Sequence, residues 1–109
     1  MPRFTIANVS SATVLIADDS PLVLRMIEKM LAGAGLSVLT AVDGLDAVEK
    51  ALTQDVDLVI LDVSMPRMNG YQACRLLKSE PLTRGVPVII LTSKDQAGDR
   101  FWGIETGAD

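Results

Sequence analysis

Short aliphatic runs recur along the chain at Thr13–Ala17, Leu36–Ala41, Asp57–Leu61 and Val88–Leu91, and between successive runs lies a segment with apolar residues at helical spacing. This alternation constrains the fold more than any other feature. The runs are too apolar to have a wet face, so each must be a strand covered on both sides. One helix between successive strands makes the neighbours parallel and requires crossover connections, which are right-handed in nearly all known cases. With 109 residues the chain has room for a single core. The expected class is α/β, a doubly wound parallel sheet.

The punctuation between the runs agrees. Ser20 followed by Pro21 starts a helix, serine as N-cap acceptor and proline at the first helical position. Val23, Met26, Ile27, Met30, Leu31 and Ala34 form its apolar stripe, with Met26 and Met30 expected to fill the core, and Gly35 ends it. Asp43-Gly44 opens a second helix with Leu45, Val48, Ala51 and Leu52 inward. After Asp62 a loop, Val63 to Asn69, carries Pro66, and Gly70 leads into a third helix with Ala73, Cys74, Leu76 and Leu77 inward. Pro81, Gly85 and Pro87 precede the fourth strand, which ends at Thr92. Lys94 to Asp109 predicts a weak helix, weakened by its internal glycines, with Phe101, Trp102 and Ile104 docking it on the sheet.

Charge and residue usage exclude several functions. A net charge of -4 with no basic stripe argues against direct nucleic-acid binding. The chain has 0 histidines, which excludes a phosphohistidine carrier, a Ser-His-Asp triad and a histidine-ligated metal. No glycine-rich phosphate loop follows the first strand. The single cysteine, Cys74, cannot form an intrachain disulfide; a buried thiol and a reducing, cytoplasmic setting are expected. Residues 1–12 read as an N-terminal tail with neither signal-peptide nor anchor pattern, and no apolar run approaches the about 20 residues of a membrane helix.

In a parallel sheet the strand C-termini share one edge, so Asp18, Asp19, Asp62 and Thr92 are expected to gather there, where ligands of such sheets bind. Alone, Asp18-Asp19 would read as a helix N-terminal pair favoured by the macrodipole, and Thr92 as a capping hydroxyl. Together they read as a site. Crowded carboxylates repel one another and raise a pKa unless a cation compensates, and oxygen-only ligands suit Mg²⁺. With the metal present, one carboxylate can attack phosphorus to give an aspartyl phosphate, and the Thr92 hydroxyl can donate to a phosphoryl oxygen. These considerations leave open which carboxylate attacks.

Asp18-Asp19-Ser20, the run Asp62-Val63-Ser64-Met65-Pro66-Arg67-Met68-Asn69-Gly70, and Leu91-Thr92-Ser93-Lys94 resemble, in order and spacing, the signatures of the receiver domain of two-component response regulators. The similarity runs from about Thr13 to the last residue, giving a receiver domain over 13–109. It implies a flavodoxin-like sheet, with Asp62 as the phosphoacceptor. Asp19, Asp62 and the backbone carbonyl of Ser64 would hold Mg²⁺, with Asp18 acting through a coordinated water. Thr92 would be the switch hydroxyl, shifting an existing inactive-active equilibrium. Ser64 and Lys94 occupy positions that influence phosphoryl lifetime. The implied partner is a histidine kinase or phosphotransfer protein, and the protein would catalyse only its own phosphorylation and dephosphorylation. The segment Thr92 to Gly107 looks most like receivers of the pilus-motility and chemotaxis-like branch.

The family pattern continues past Gly107-Ala108-Asp109 into a fifth strand, ending in a lysine and proline, and a fifth helix. Lys94 is not that lysine. The expectation is a C-terminally truncated receiver with strand order 2-1-3-4. Its Val88–Leu91 edge would be unprotected, inviting a homodimer through the exposed sheet edge. Two other functions compete. A phosphatase or phosphotransferase with an aspartyl nucleophile would want an acid two residues on, where this chain has Ser64. A pseudo-receiver-type interaction module, unphosphorylated, is the alternative that the missing lysine favours.

Overall fold

The aliphatic runs become β1 (Thr13–Ala17), β2 (Ser37–Ala41), β3 (Leu58–Asp62) and the first part of β4 (Val88–Gln96). Between them lie α1 (Pro21–Gly33), α2 (Gly44–Thr53) and α3 (Gly70–Ser79). The computed structural model describes residues 12–96 and 99–106, and the side-chain surroundings of residues 12–91. The N-terminal tail expected over 1–12 therefore lies outside the described residues except for Ala12.

The parallel strands stand in the order β2-β1-β3-β4, as the alternation requires. Successive side chains of β1 feed opposite cores, because a strand alternates faces at every residue. Leu15 and Ala17 join Val59, Leu61, Val88 and Ile90 beneath α2 and α3. Val14 and Ile16 join Leu24 of α1, with Ile27, Leu31, Leu58 and Ile60 around them. Cys74 is buried, as expected.

Local chemistry sets the boundaries. The Ser20 hydroxyl accepts from the Val23 N–H at 3.3 Å to start α1. At its far end Gly35 adopts φ 92, and the Leu36 N–H returns to the Leu31 carbonyl at 3.1 Å, a Schellman closure. Leu36 is thereby part of the helix stop, and β2 begins one residue later than the aliphatic run suggests. Asp57 likewise precedes β3, because its carboxylate accepts the Thr13 N–H at 2.8 Å and pins the starts of β1 and β3 together.

Four expectations are corrected. Where the weak helix is expected, the described residues 94–96 and 99–106 are instead the end of β4 and an antiparallel strand, β5 (Asp99–Thr106), with Leu91 opposite Ile104 and Thr92 opposite Gly103; the rest of that stretch lies outside the described residues. The β4 edge offers unpaired N–H and C=O groups that a hairpin satisfies. For the same reason the β4 edge is covered, not bare. Met26 and Met30 are not core fillers; they are 54% and 68% exposed on the flank of α1 turned away from the sheet. Leu76 is 41% exposed, and Leu77 takes the inward position in α3.

Candidate functional site

Strand order reverses between β1 and β3, since β2 lies on one side of β1 and β4 on the far side of β3. Asp18 and Asp19 follow the last residue of β1, and Asp62 is the last residue of β3. The switch-point crevice, where the loops diverge, is thus lined with carboxylates. One oxygen from each of Asp18, Asp19 and Asp62 lies within 4.8 Å of the others. The sequence-predicted trio is brought together.

Each member is positioned by its own stretch of chain. The Asp18 N–H donates to the Ala41 carbonyl at 3.1 Å, extending the β1–β2 ladder by one step. Its Oδ1 accepts the Ser20 N–H at 2.8 Å, which orients the carboxylate and turns the chain into α1. Asp62 is held in register opposite Leu91, and the Val63 N–H donates to the Leu91 carbonyl at 3.3 Å. Thr92 follows Leu91 directly in β4, beside the end of β3; its side chain, with those of Ser93 and Lys94, lies outside the described residues.

The crowding has an electrostatic consequence. Burial first, and then the negative charges of Asp18 and Asp19, push the Asp62 carboxyl up to about 6, against weaker opposition from the Val63 and Ser64 amides. Asp18 is raised too, by burial and by Asp19, with the Ser20 N–H working the other way. Such a cluster is a poor resting place for three negative charges. It is a good one for a hard divalent cation, whose preferred ligands are these oxygens.

The loop between β3 and α3 carries Ser64, exposed, and Met65, buried in the core. Gly70 closes it: its N–H donates to the Val63 carbonyl at 2.9 Å, and a Cβ there would lie 2.4 Å from the Asp62 carbonyl oxygen. Only glycine fits. Asn69 caps α3 by accepting the Gln72 N–H at 2.8 Å, and the Gln72 side chain accepts the Asn69 N–H at 2.9 Å.

One contact was not legible in the sequence. Arg67 keeps its side chain 56% exposed yet donates from Nε to the buried Asp43 carboxylate at 2.7 Å and from Nη2 at 3.2 Å. The guanidinium, with the Asp46 N–H, holds the Asp43 carboxyl below the usual carboxylate range. The Asp-Gly helix start at Asp43 was visible, but nothing in sequence order joins it to residue 67. Among the described residues no helix is long and apolar enough to cross a membrane.

Comparison with known proteins converges on one group. Residues 14–109 match the model of the response regulator receiver domain. Protein PilH of Pseudomonas aeruginosa is 43% identical over 97 residues, covering 89% of this chain and 80% of that protein. Response regulator PleD of Caulobacter vibrioides is 42% identical over 98 residues, 90% of this chain but 22% of PleD, so the chain spans about a fifth of that relative. Among solved structures, the receiver domain of a Pseudomonas aeruginosa sensor histidine kinase, with a magnesium ion coordinated in its active-site cleft, superposes with TM-score 0.74 at 34% identity. That match covers 82% of this chain and 73% of the other. Chemotaxis response regulator CheY4 of Vibrio cholerae gives TM-score 0.74 at 34% identity, covering 79% of this chain and 72% of that one. With sequence and backbone agreeing over nearly the whole described chain, the protein belongs to the response regulator receiver domain family of two-component signalling.

Proposed function

We propose that Asp62 is the phosphoacceptor of this receiver domain, taking a phosphoryl group from a phosphohistidine on a histidine kinase or phosphotransfer protein. Receiver domains are signalling modules that act with such partners, and the family's phosphorylation depends on Mg²⁺ at an acidic site. The observation that carries the reading is the meeting of the Asp18, Asp19 and Asp62 oxygens within 4.8 Å at the switch point.

The donor set fits the cation. Asp19, Asp62 and the Ser64 backbone carbonyl would hold Mg²⁺, with Asp18 acting through a water. When bound, the ion supplies positive charge that offsets the carboxylates and the incoming phosphoryl oxygens. The chain's own residues do the rest. Asp62 ends β3 at the mouth of the crevice, so a carboxylate oxygen can approach phosphorus in line with the leaving imidazole. An O–P bond forms, the N–P bond breaks, and its electron pair stays on the imidazole nitrogen. Thr92, on the neighbouring strand, would donate its hydroxyl to a phosphoryl oxygen and draw the end of β4 toward the site.

The domain in this reading comprises residues 13–109. The test is beryllofluoride binding by fluorine NMR with Mg²⁺, for the chain and for Asp62→Asn. A bound fluorine signal in the parent that Asp62→Asn abolishes supports the phosphoacceptor. A parent that gives no signal points to an unphosphorylated interaction module.

A further inference from the structure

Asp43 and Arg67 come from different loops, and their pairing ties the start of α2 to the loop that carries Ser64. Asp43 is buried, caps α2 by accepting the Asp46 N–H at 2.8 Å, and takes two guanidinium nitrogens of Arg67 at 2.7 and 3.2 Å. Two donors from one planar group fix direction as well as distance. Arg67 itself has φ 65, a left-handed backbone that a residue with a side chain rarely adopts. The Met68 N–H closes the turn onto the Pro66 carbonyl at 2.6 Å. Such a conformation persists where surroundings over-determine it, and the guanidinium contact to Asp43 is one such constraint here.

The clasp has a second point. The Gly44 N–H donates to the Met68 carbonyl at 3.1 Å, and a Cβ on Gly44 would lie 2.1 Å from that oxygen. The loop's base is fixed separately, by Gly70 against Val63 and Asp62. Ser64 lies between the two fixed ends. Resting on the reading of Asp62 and Ser64 as cation ligands, we propose that Asp43 and Arg67 are positioning residues that hold the β3–α3 loop in shape and so set the affinity of the acidic cluster for a divalent cation.

The test is calorimetric Mg²⁺ titration of the whole chain and of Asp43→Asn, Arg67→Gln, the double variant, Arg67→Lys, Arg67→Gly and Asp62→Asn. Asp43→Asn is chosen because asparagine caps a helix as well as aspartate while losing the charge. Removing a partner that orients metal ligands typically weakens binding on the order of tenfold or more. Each single loss is expected to do so, the double variant no more than either single, and Arg67→Lys to recover part. Arg67→Gly relieves the left-handed backbone but should stay weak. Without Mg²⁺, amide exchange at Gly44 and Met68 should quicken in Asp43→Asn and Arg67→Gln, while β1 and β3 amides keep their protection.

Singles that bind Mg²⁺ as the parent does, losses that simply add, or an Arg67→Gly that binds normally would each overturn the proposal. Parent binding that survives Asp62→Asn unchanged would instead overturn the site reading, and the proposal with it.

Discussion

Replacing Asp62 by asparagine is expected to stabilise the metal-free protein at neutral pH. In the folded chain the Asp62 carboxyl is raised from 3.8 to about 6 by burial and by Asp18 and Asp19. A raised carboxyl pKa means that ionisation favours the unfolded chain. Below 3.8 the group is protonated in both states and nothing is lost. Between 3.8 and 6 the unfolded state releases its proton first, and above 6 the full penalty applies. A shift of this size corresponds to at most about 3 kcal/mol. Asp62 is partly exposed, so solvent screening reduces this to about 1 kcal/mol.

For a domain of this length about 1 kcal/mol moves the Tm by roughly 4 to 8 °C. Thermal unfolding in chelator and low salt should therefore give Asp62→Asn a higher Tm than the parent at pH 7.5 and the same Tm near pH 3.5. Adding Mg²⁺ should raise the parent and leave the variant nearly unmoved, because a ligand that binds only the folded state stabilises it and the variant has lost a carboxylate of the cluster. An asparagine variant less stable at pH 7.5, or a gain of equal size at both pH values, would refute the electrostatic account of the cluster.

Gly70→Ala forces a methyl against the Asp62 carbonyl and should lower stability in urea unfolding by about 2 kcal/mol, with Mg²⁺ binding weakened alongside. Asn69→Ala removes the α3 cap and its reciprocal bond with Gln72, a loss of about 1 kcal/mol by the same assay. Met30→Glu, on the exposed flank of α1, should stay within about 0.5 kcal/mol of the parent, whereas Leu77→Ala, in the core, should lose about 3 kcal/mol.

The strands and helices were legible because burial on both faces leaves a run such as Leu58–Ile60 no other role, and because caps such as Ser20-Pro21 and Asn69 act within a few residues. The carboxylate trio was legible because parallel strands send Asp18, Asp19 and Asp62 to one edge whatever the loop details. Other features depend on contacts remote in sequence. The stretch from Lys94 onward carries a mixed pattern, and the pairing demand of the β4 edge decides it in favour of β5. Met26 and Met30 fit a helical stripe, but α1 turns only Leu24, Ile27 and Leu31 toward the sheet, so the rest of the arc stays outside. Arg67 finds Asp43 across a separation of 24 residues, beyond the reach of any local rule.

Intact mass spectrometry after incubation with a small phosphoramidate donor and Mg²⁺ tests the central claim most directly. The account predicts one added phosphoryl group on the chain, lost on chelation of Mg²⁺ during the reaction and absent from Asp62→Asn. An adduct of the same yield in Asp62→Asn, or none on the parent under conditions that load other receivers, would contradict it.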